Sequence, residues 1–203
     1  VDVIFKAKAP NKRGGWLLLS GAEGSIEEVA LEELLKPDKV GFNAEGDYLS
    51  IIFSMTVQVA RSMFKKDFDL NQAASRSLQT ERHHEQMLEA LGFLLNNLEM
   101  LIEALWQKLG RGFAGRSNMT RESLSQFIVH TGTDFLSGIL THYIIHRLGG
   151  AGHPDLTIIG PGGIRFVEVK GQDRLRGSQA IWSKNVARPL GLNVTIAQVR
   201  AHK

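Results

Sequence analysis

The chain has 203 residues, 43% of them hydrophobic and 22% charged, with a formal net charge of +3 and no cysteine. That is enough apolar chain for one globular unit, or one domain with an appended subdomain, around a real core. The lack of cysteine excludes disulfides, thiolate metal sites and cysteine nucleophiles, leaves oxygen and imidazole as metal ligands, and permits a reducing intracellular compartment.

No secretory signal is expected, because the first residues lack a charged region followed by an apolar one and a small-residue cleavage site. No membrane span is expected either. No apolar run approaches the ~20 residues that a bilayer requires, and the stretch from Leu91 to Leu109 is interrupted by Asn96, Asn97, Glu99, Glu103 and Gln107. The charge is uneven: residues 151–203 hold eight Lys/Arg against three Asp/Glu, and residues 1–150 hold sixteen against eighteen. A polyanion such as nucleic acid would be drawn to the basic C-terminal segment, and a well-solvated surface accounts for the same charges.

Residues 1–25 are rich in Gly, Lys and short apolar stretches, and Asn11 to Gly15 reads as an exposed basic loop. Ser25 and Glu28 have the form of a capping box, followed by the stripe Val29, Leu31, Leu34 and Leu35 up to Pro37. A second helix is expected from about Glu45 to Phe64, with Leu49, Ile52, Phe53, Val59 and Met63 at helical spacing. A third, long one should cover roughly Ala73 to Lys108. Glycines at 110, 112 and 115 break that pattern, and Thr120-Arg121-Glu122-Ser123 opens a helical stretch running through Phe135, Ile139, Tyr143 and Ile144 to Arg147.

At Gly149 the period changes. Residues 155–159 and 164–169 are β-branched runs flanking Gly160-Pro161-Gly162-Gly163, a hairpin signal. A short helix from Ser178 to Ala187 and an alternating strand over Leu192–Val199 complete the chain, which shows no internal repeat. Residues 1–150 thus read as a mostly helical part and residues 151–203 as the core that carries the hairpin.

If residues 160–163 form the loop, Ile159 faces Ile164, and counting outward places Asp155 opposite Glu168. Opposed residues share a sheet face with Cβ atoms about 5 Å apart, so two carboxylates there require a neutralising charge, which a divalent cation would supply. Alternation puts Lys170 on the same face, with Val167 and Val169 on the other, buried one. Hard oxygen ligands suit Mg²⁺ or Mn²⁺, ions that stabilise phosphate charge and acidify water, and an ammonium beside them suits phosphodiester hydrolysis. In the alternative, Asp155 caps a strand and Glu168 merely pairs with Lys170 on a solvated face.

Five segments in order, Gly152-His153-Pro154-Asp155-Leu156, Phe166-Val167-Glu168-Val169-Lys170-Gly171, Asp173-Arg174-Leu175, and Gln179 with Trp182, closely resemble the VRR-NUC branch of the PD-(D/E)xK nuclease superfamily. Upstream, Ser25 to Leu31, Gly41-Phe42-Asn43-Ala44-Glu45-Gly46 leading to Leu49 and Phe53, and Phe135 to Leu140 before His146-Arg147 resemble the nuclease region of the Fanconi-associated nuclease family. The resemblance covers most of residues 13–200, with Ala73 to Gly92 departing from it.

It implies an α/β (α+β) fold, with a restriction-endonuclease-like PD-(D/E)xK core, a mixed sheet and an extensive N-terminal helical layer. It implies a metal at Asp155 and Glu168, a catalytic Lys170 and a supporting Gln179. It also brings Glu45 into the metal cluster, a residue that by itself reads as a helix-terminal acid. A pocket for a 5′-terminal phosphate is implied near Arg147, which equally suits the negative end of its own helix. Cleavage of branched DNA, a 5′ flap preference, a role in interstrand crosslink repair and an intracellular site (the nucleus in a eukaryote, the cytoplasm or nucleoid in a bacterium) come with it as expectations. A dimeric junction-resolving or restriction-like nuclease and a catalytically silent DNA-binding module are the alternatives.

Among the remaining candidates, Lys12, Arg13, Arg174 and Arg176 suit contacts to backbone phosphates. His153 reads as a loop histidine, with an approach to phosphate as its alternative, and the adjacent His83 and His84 as a solvated helical face. Trp182 and Leu175 are expected to cover the hairpin as core. Trp16, Trp106 and Phe113 read as packing groups in preference to base-stacking ones.

Overall fold

The computed structural model describes residues 3–7, 15–35, 39–43, 47–68, 81–112, 120–146, 152–171 and 175–201. Its centre is a five-stranded mixed sheet in the order β1 (Val3–Ala7), β7 (Asn193–Ala201), β6 (Gly163–Lys170), β5 (Leu156–Gly160), β4 (Val40–Asn43). The β1–β7 and β7–β6 pairs are parallel, whereas β6–β5 and β5–β4 are antiparallel. A small ribbon, β2 (Trp16–Leu17) with β3 (Glu23–Gly24), lies beside it in sequence. The fold is therefore the mixed α+β architecture expected.

The sheet is covered on both faces by helices. One face takes α1 (Ile26–Leu34), whose Val29, Leu31 and Leu34 pack on Leu156, Ile158, Val167, Val169, Ala197 and Val199. The capping box starts this helix as expected: Glu28 N–H donates to Ser25 Oγ at 3.2 Å and Ser25 N–H to Glu28 Oε2 at 2.7 Å. Trp16 packs against this core and Trp106 against the other, both as packing groups.

The opposite face takes a helical layer of α2 (Asp47–Phe64), α3 (Glu81–Leu95), α4 (Leu98–Gly112) and α5 (Arg121–His146). Reciprocal bonds between Thr120 and Ser123 start α5, which is interrupted at Gly132. After β6 comes α6 (Gly177–Trp182), continued by a π-helical turn over Ser183–Ala187. None of the described helices is long and apolar enough to cross a membrane.

Four readings change, the start of the third helix, residues 73–80, lying outside the described residues. The long third helix is two, because Asn97 ends one and starts the other: its Nδ2 donates to Phe93 O at 2.7 Å, and its own carbonyl accepts from Leu101 N–H at 3.0 Å. Strands β1 and β4 went unread, for neither has the length or alternation to declare itself. In β4, Gly41 is there for close approach: a Cβ would stand 2.6 Å from Ile158 Cδ1. Finally, Leu175 is exposed and not core, in contrast to the buried Trp182. His83 likewise leaves the solvated face, packing edge-on against Phe68 at 5.9 Å.

Candidate active site on the β5–β6 hairpin

The hairpin takes the expected register. Ile159 pairs with Ile164 and Leu156 with Val167, while Gly160 pairs with Gly163, so Pro161 and Gly162 alone make the turn. Extended by one residue, the register sets Asp155 opposite Glu168. Alternation then divides β6: Val167 and Val169 enter the α1 core, whereas Phe166, Glu168 and Lys170 face the other way.

That second face is not solvated. Glu168 is 3% exposed and Lys170 7%. Two ionised groups at such depth must be paired and hydrogen-bonded to persist. Lys170 Nζ lies 2.7 Å from Glu168 Oε1, and the Gln179 side-chain amide on α6 donates to the same oxygen. Gln179 is held the right way round, because its Oε1 accepts Arg176 N–H at 2.8 Å and leaves its amide nitrogen to face Glu168.

Asp155 sits just before β5. Its Oδ2 accepts Val169 N–H at 2.7 Å, standing in for a ladder acceptor where Pro154 precedes the strand. Burial, then the charge of Glu168, pushes its carboxyl up to about 7; the Val169 bond and Lys170 pull the other way, and Glu27 on α1 adds to the rise. One ammonium thus faces two carboxylates, with a third acid within electrostatic reach. Among the described residues no group of three or more His, Asp or Glu gathers as a ready metal cage.

A layer of polar groups behind Asp155 escaped the sequence reading. His153 is 5% exposed, lying edge-on to Tyr48, Phe166 and Trp182, so it is a structural residue that approaches no solvent-borne phosphate. Its Nδ1 lies 2.8 Å from the Pro154 carbonyl, which only accepts, so Nδ1 carries the proton. Burial lowers its pKa to about 4 and keeps the ring neutral, leaving Nε2 to accept from the Tyr48 hydroxyl at 3.3 Å. Tyr48 has a single proton, so Thr157 donates to it across 3.2 Å. The chain Thr157, Tyr48, His153, Pro154 therefore ties β5 and the first turn of α2 to the peptide that carries Asp155.

Gly152 closes the loop onto α6. Its φ is +80°, and a Cβ there would stand 2.2 Å from the Ser178 carbonyl oxygen. Trp182 Nε1 donates to the Tyr143 hydroxyl at 2.8 Å, anchoring α6 to α5.

The structure thus brings together Asp155, Glu168, Lys170 and Gln179. Arg176 is exposed at the start of α6. Glu45, Arg147 and Arg174 lie outside the described residues, as do Lys12, Arg13 and Phe113.

A mixed sheet with a buried acid–acid–lysine set on its central hairpin, layered between helices, is an α+β fold that solved structures share. The structure of paFAN1 bound to DNA with a two-nucleotide 5′ flap and a gap matches with a TM-score of 0.65 at 20% identity, over 100% of this chain and 38% of that one. The complex with a one-nucleotide flap matches at 0.60 and 19%, with the same coverage. The chain therefore spans well under half the length of these neighbours. No family model and no curated protein matches the chain.

Proposed function

We propose that this chain is a metal-dependent, structure-specific DNA nuclease that hydrolyses phosphodiester bonds. The observation that carries the proposal is the buried pairing of Asp155 with Glu168 beside Lys170 and Gln179. Burying two carboxylates against each other costs stability unless a cation shares them, and Lys170 neutralises only one.

Mg²⁺ or Mn²⁺ fits the donor set, since both residues offer hard oxygens, and Asp155 is held protonatable near pH 7 until a positive charge arrives. Asp155 and Glu168 would hold the ion, with Glu45 proposed as a further ligand; Mg²⁺ commonly takes only one or two protein carboxylates and completes its shell with water and phosphate. When bound, the ion supplies Lewis-acid stabilisation of phosphate charge and a lowered water pKa.

The chain's own residues do the remainder. Lys170 places a compact ammonium at the edge of the carboxylate pair, where it steadies a scissile phosphate or orients the attacking water. Gln179 fixes the Glu168 carboxylate. Arg147, Arg174 and Arg176 are proposed phosphate contacts. The solved neighbours were bound to 5′-flapped DNA, which supports flapped, branched DNA as the partner; 5′ flap endonuclease and 5′–3′ exonuclease activity in DNA repair, including that of interstrand crosslinks, is the finer part of the proposal. An intracellular site, the nucleus of a eukaryote or the cytoplasm or nucleoid of a bacterium, is proposed with it.

The test is cleavage of a 5′-labelled flap in Mg²⁺, Mn²⁺ or EDTA. Cutting in the first two and none in EDTA is expected. A shifted band without cutting in any condition would instead mark a silent DNA-binding module.

A further inference from the structure

Beside the carboxylates, a cleft of about 370 Å³ opens between α6 and the sheet. Glu168 and Gln179 line it together with Leu175, Trp182, and Val194 and Ile196 of β7, so its lining is mostly apolar, while Lys184 and Arg188 supply the cations. Ala180 offers only a methyl group where a larger side chain would fill the space.

Three features of this cleft bear on its occupant. Leu175 is 48% exposed, an apolar side chain held in solvent on the mouth of an apolar cleft. Lys184 lies within the π-helical turn and Arg188 directly follows it, with Arg188 N–H donating to Ser183 O at 3.0 Å, a five-residue step. Such turns shift the side chains that follow them around the helix and are frequent at functional sites. The volume, finally, is at the lower end for small-molecule sites, roughly 300–1,000 Å³.

We propose that this cleft receives one unpaired nucleoside of the DNA strand being cut, next to the scissile phosphate, with Lys184 and Arg188 holding the neighbouring backbone phosphates. The inference rests on the nuclease reading and extends it to how the substrate is chosen. An apolar slot bordered by cations matches the two halves of a nucleotide, a flat apolar base and an anionic phosphate. The mostly apolar walls contact the face of a base more than its hydrogen-bonding edge, so the slot accepts any base. A paired base would have to leave its stack to enter, whereas an unpaired one enters at little cost. The slot thus favours junctions and flaps over intact duplex.

The experiment places the fluorescent base 2-aminopurine at successive positions around the junction of a flapped substrate. The full-length chain is added in EDTA, so that binding is read without cutting, and cleavage is then measured with Mn²⁺. One position, within two nucleotides of the cut, should change its fluorescence at least about twofold on binding. Ala180→Phe, which fills the slot from an exposed helix position, should abolish that change. An abasic residue at the same position should slow wild-type cleavage about tenfold and leave Ala180→Phe unaffected. Lys184→Ala with Arg188→Ala should weaken binding and flatten its salt dependence.

Uniform fluorescence at every position, or equal cleavage of abasic and intact substrates, would overturn the proposal even if the DNA is cut. A localised, Ala180-dependent signal without cutting would uphold the slot and defeat the nuclease reading instead. Circular dichroism of Ala180→Phe guards against misfolding, and the abasic series on wild type is decisive without that variant.

Discussion

The two faces of β6 are equally buried and chemically opposite. Toward α1 the strand presents Val167 and Val169 to an entirely apolar core; toward α6 it presents Glu168 and Lys170, among the few buried charges described. One face lowers the free energy of the fold through dispersion and dehydration. The other is costly, and it is held by Gln179, by the Lys170 pair and by the polar chain behind Asp155. Burial alone therefore does not separate core from site. The number and arrangement of partners does.

Breaking the costly face should remove activity most. Asp155→Ala is expected to lower single-turnover flap cleavage by roughly 10³-fold or more while DNA binding persists, because basic surface is untouched. Lys170→Ala should lose about 10²–10³-fold and still bind the metal. Wild-type rates in both would remove the site from Asp155 and Lys170.

Gly152→Ala breaks the closure of the loop onto α6. A positive φ costs an alanine about 1–2 kcal/mol, and the clash with the Ser178 carbonyl must also be relieved by moving the helix that carries Gln179. Lowered melting temperature together with lost cleavage is expected; a variant as stable and active as wild type would show that the loop has slack.

Tyr48→Phe and Val167→Ala together sharpen the contrast. Removing the Tyr48 hydroxyl should cut kcat about tenfold with KM nearly unchanged, because it loosens the His153–Pro154 peptide that carries Asp155, while stability falls by about 1 kcal/mol. Val167→Ala should do the reverse, losing about 2 kcal/mol and several degrees of melting temperature while keeping its rate well below that temperature. Equal effects of the two on kcat would mean that the polar chain positions nothing.

The pH dependence bears on stability and not on rate. In the folded chain the Asp155 carboxyl titrates near 7 against an ordinary 3.8, so the folded state holds that proton more tightly than the unfolded one. Its contribution to metal-free stability is present below about pH 4 and is lost as pH rises through 7. Asp155→Asn, which keeps an acceptor for Val169 N–H, should therefore be increasingly more stable than wild type from pH 4 to 8 in EDTA. Excess Mn²⁺ should narrow the gap, by stabilising wild type more. Parallel curves across that range would contradict the origin given for the shift.

Much of the site was legible because it is local. Gly160-Pro161-Gly162-Gly163 between β-branched runs fixes the turn, the turn fixes the register, and the period of two then places Asp155, Glu168 and Lys170 on one face. The capping box of α1 was legible for the same reason. What stayed hidden depends on distant pairing. Tyr48 meets His153 across 105 residues, and neither carries a local signal of that bond. Strand β4, with Gly41 and Asn43 in four residues, becomes a strand only because β5 lies beside it. Burial of the Glu168–Lys170 pair was equally invisible, since an alternating strand looks the same whether water or α6 covers its polar face.

Glu168→Gln tests whether the buried acid pair cuts DNA. This substitution keeps the size of the side chain and an acceptor for Lys170 while removing the charge. Single-turnover cleavage of a 5′-labelled flap in Mn²⁺ is measured beside affinity for the same DNA. The account predicts a loss of roughly 10³-fold or more in rate with affinity within a few-fold of wild type. Cleavage at the wild-type rate would contradict it.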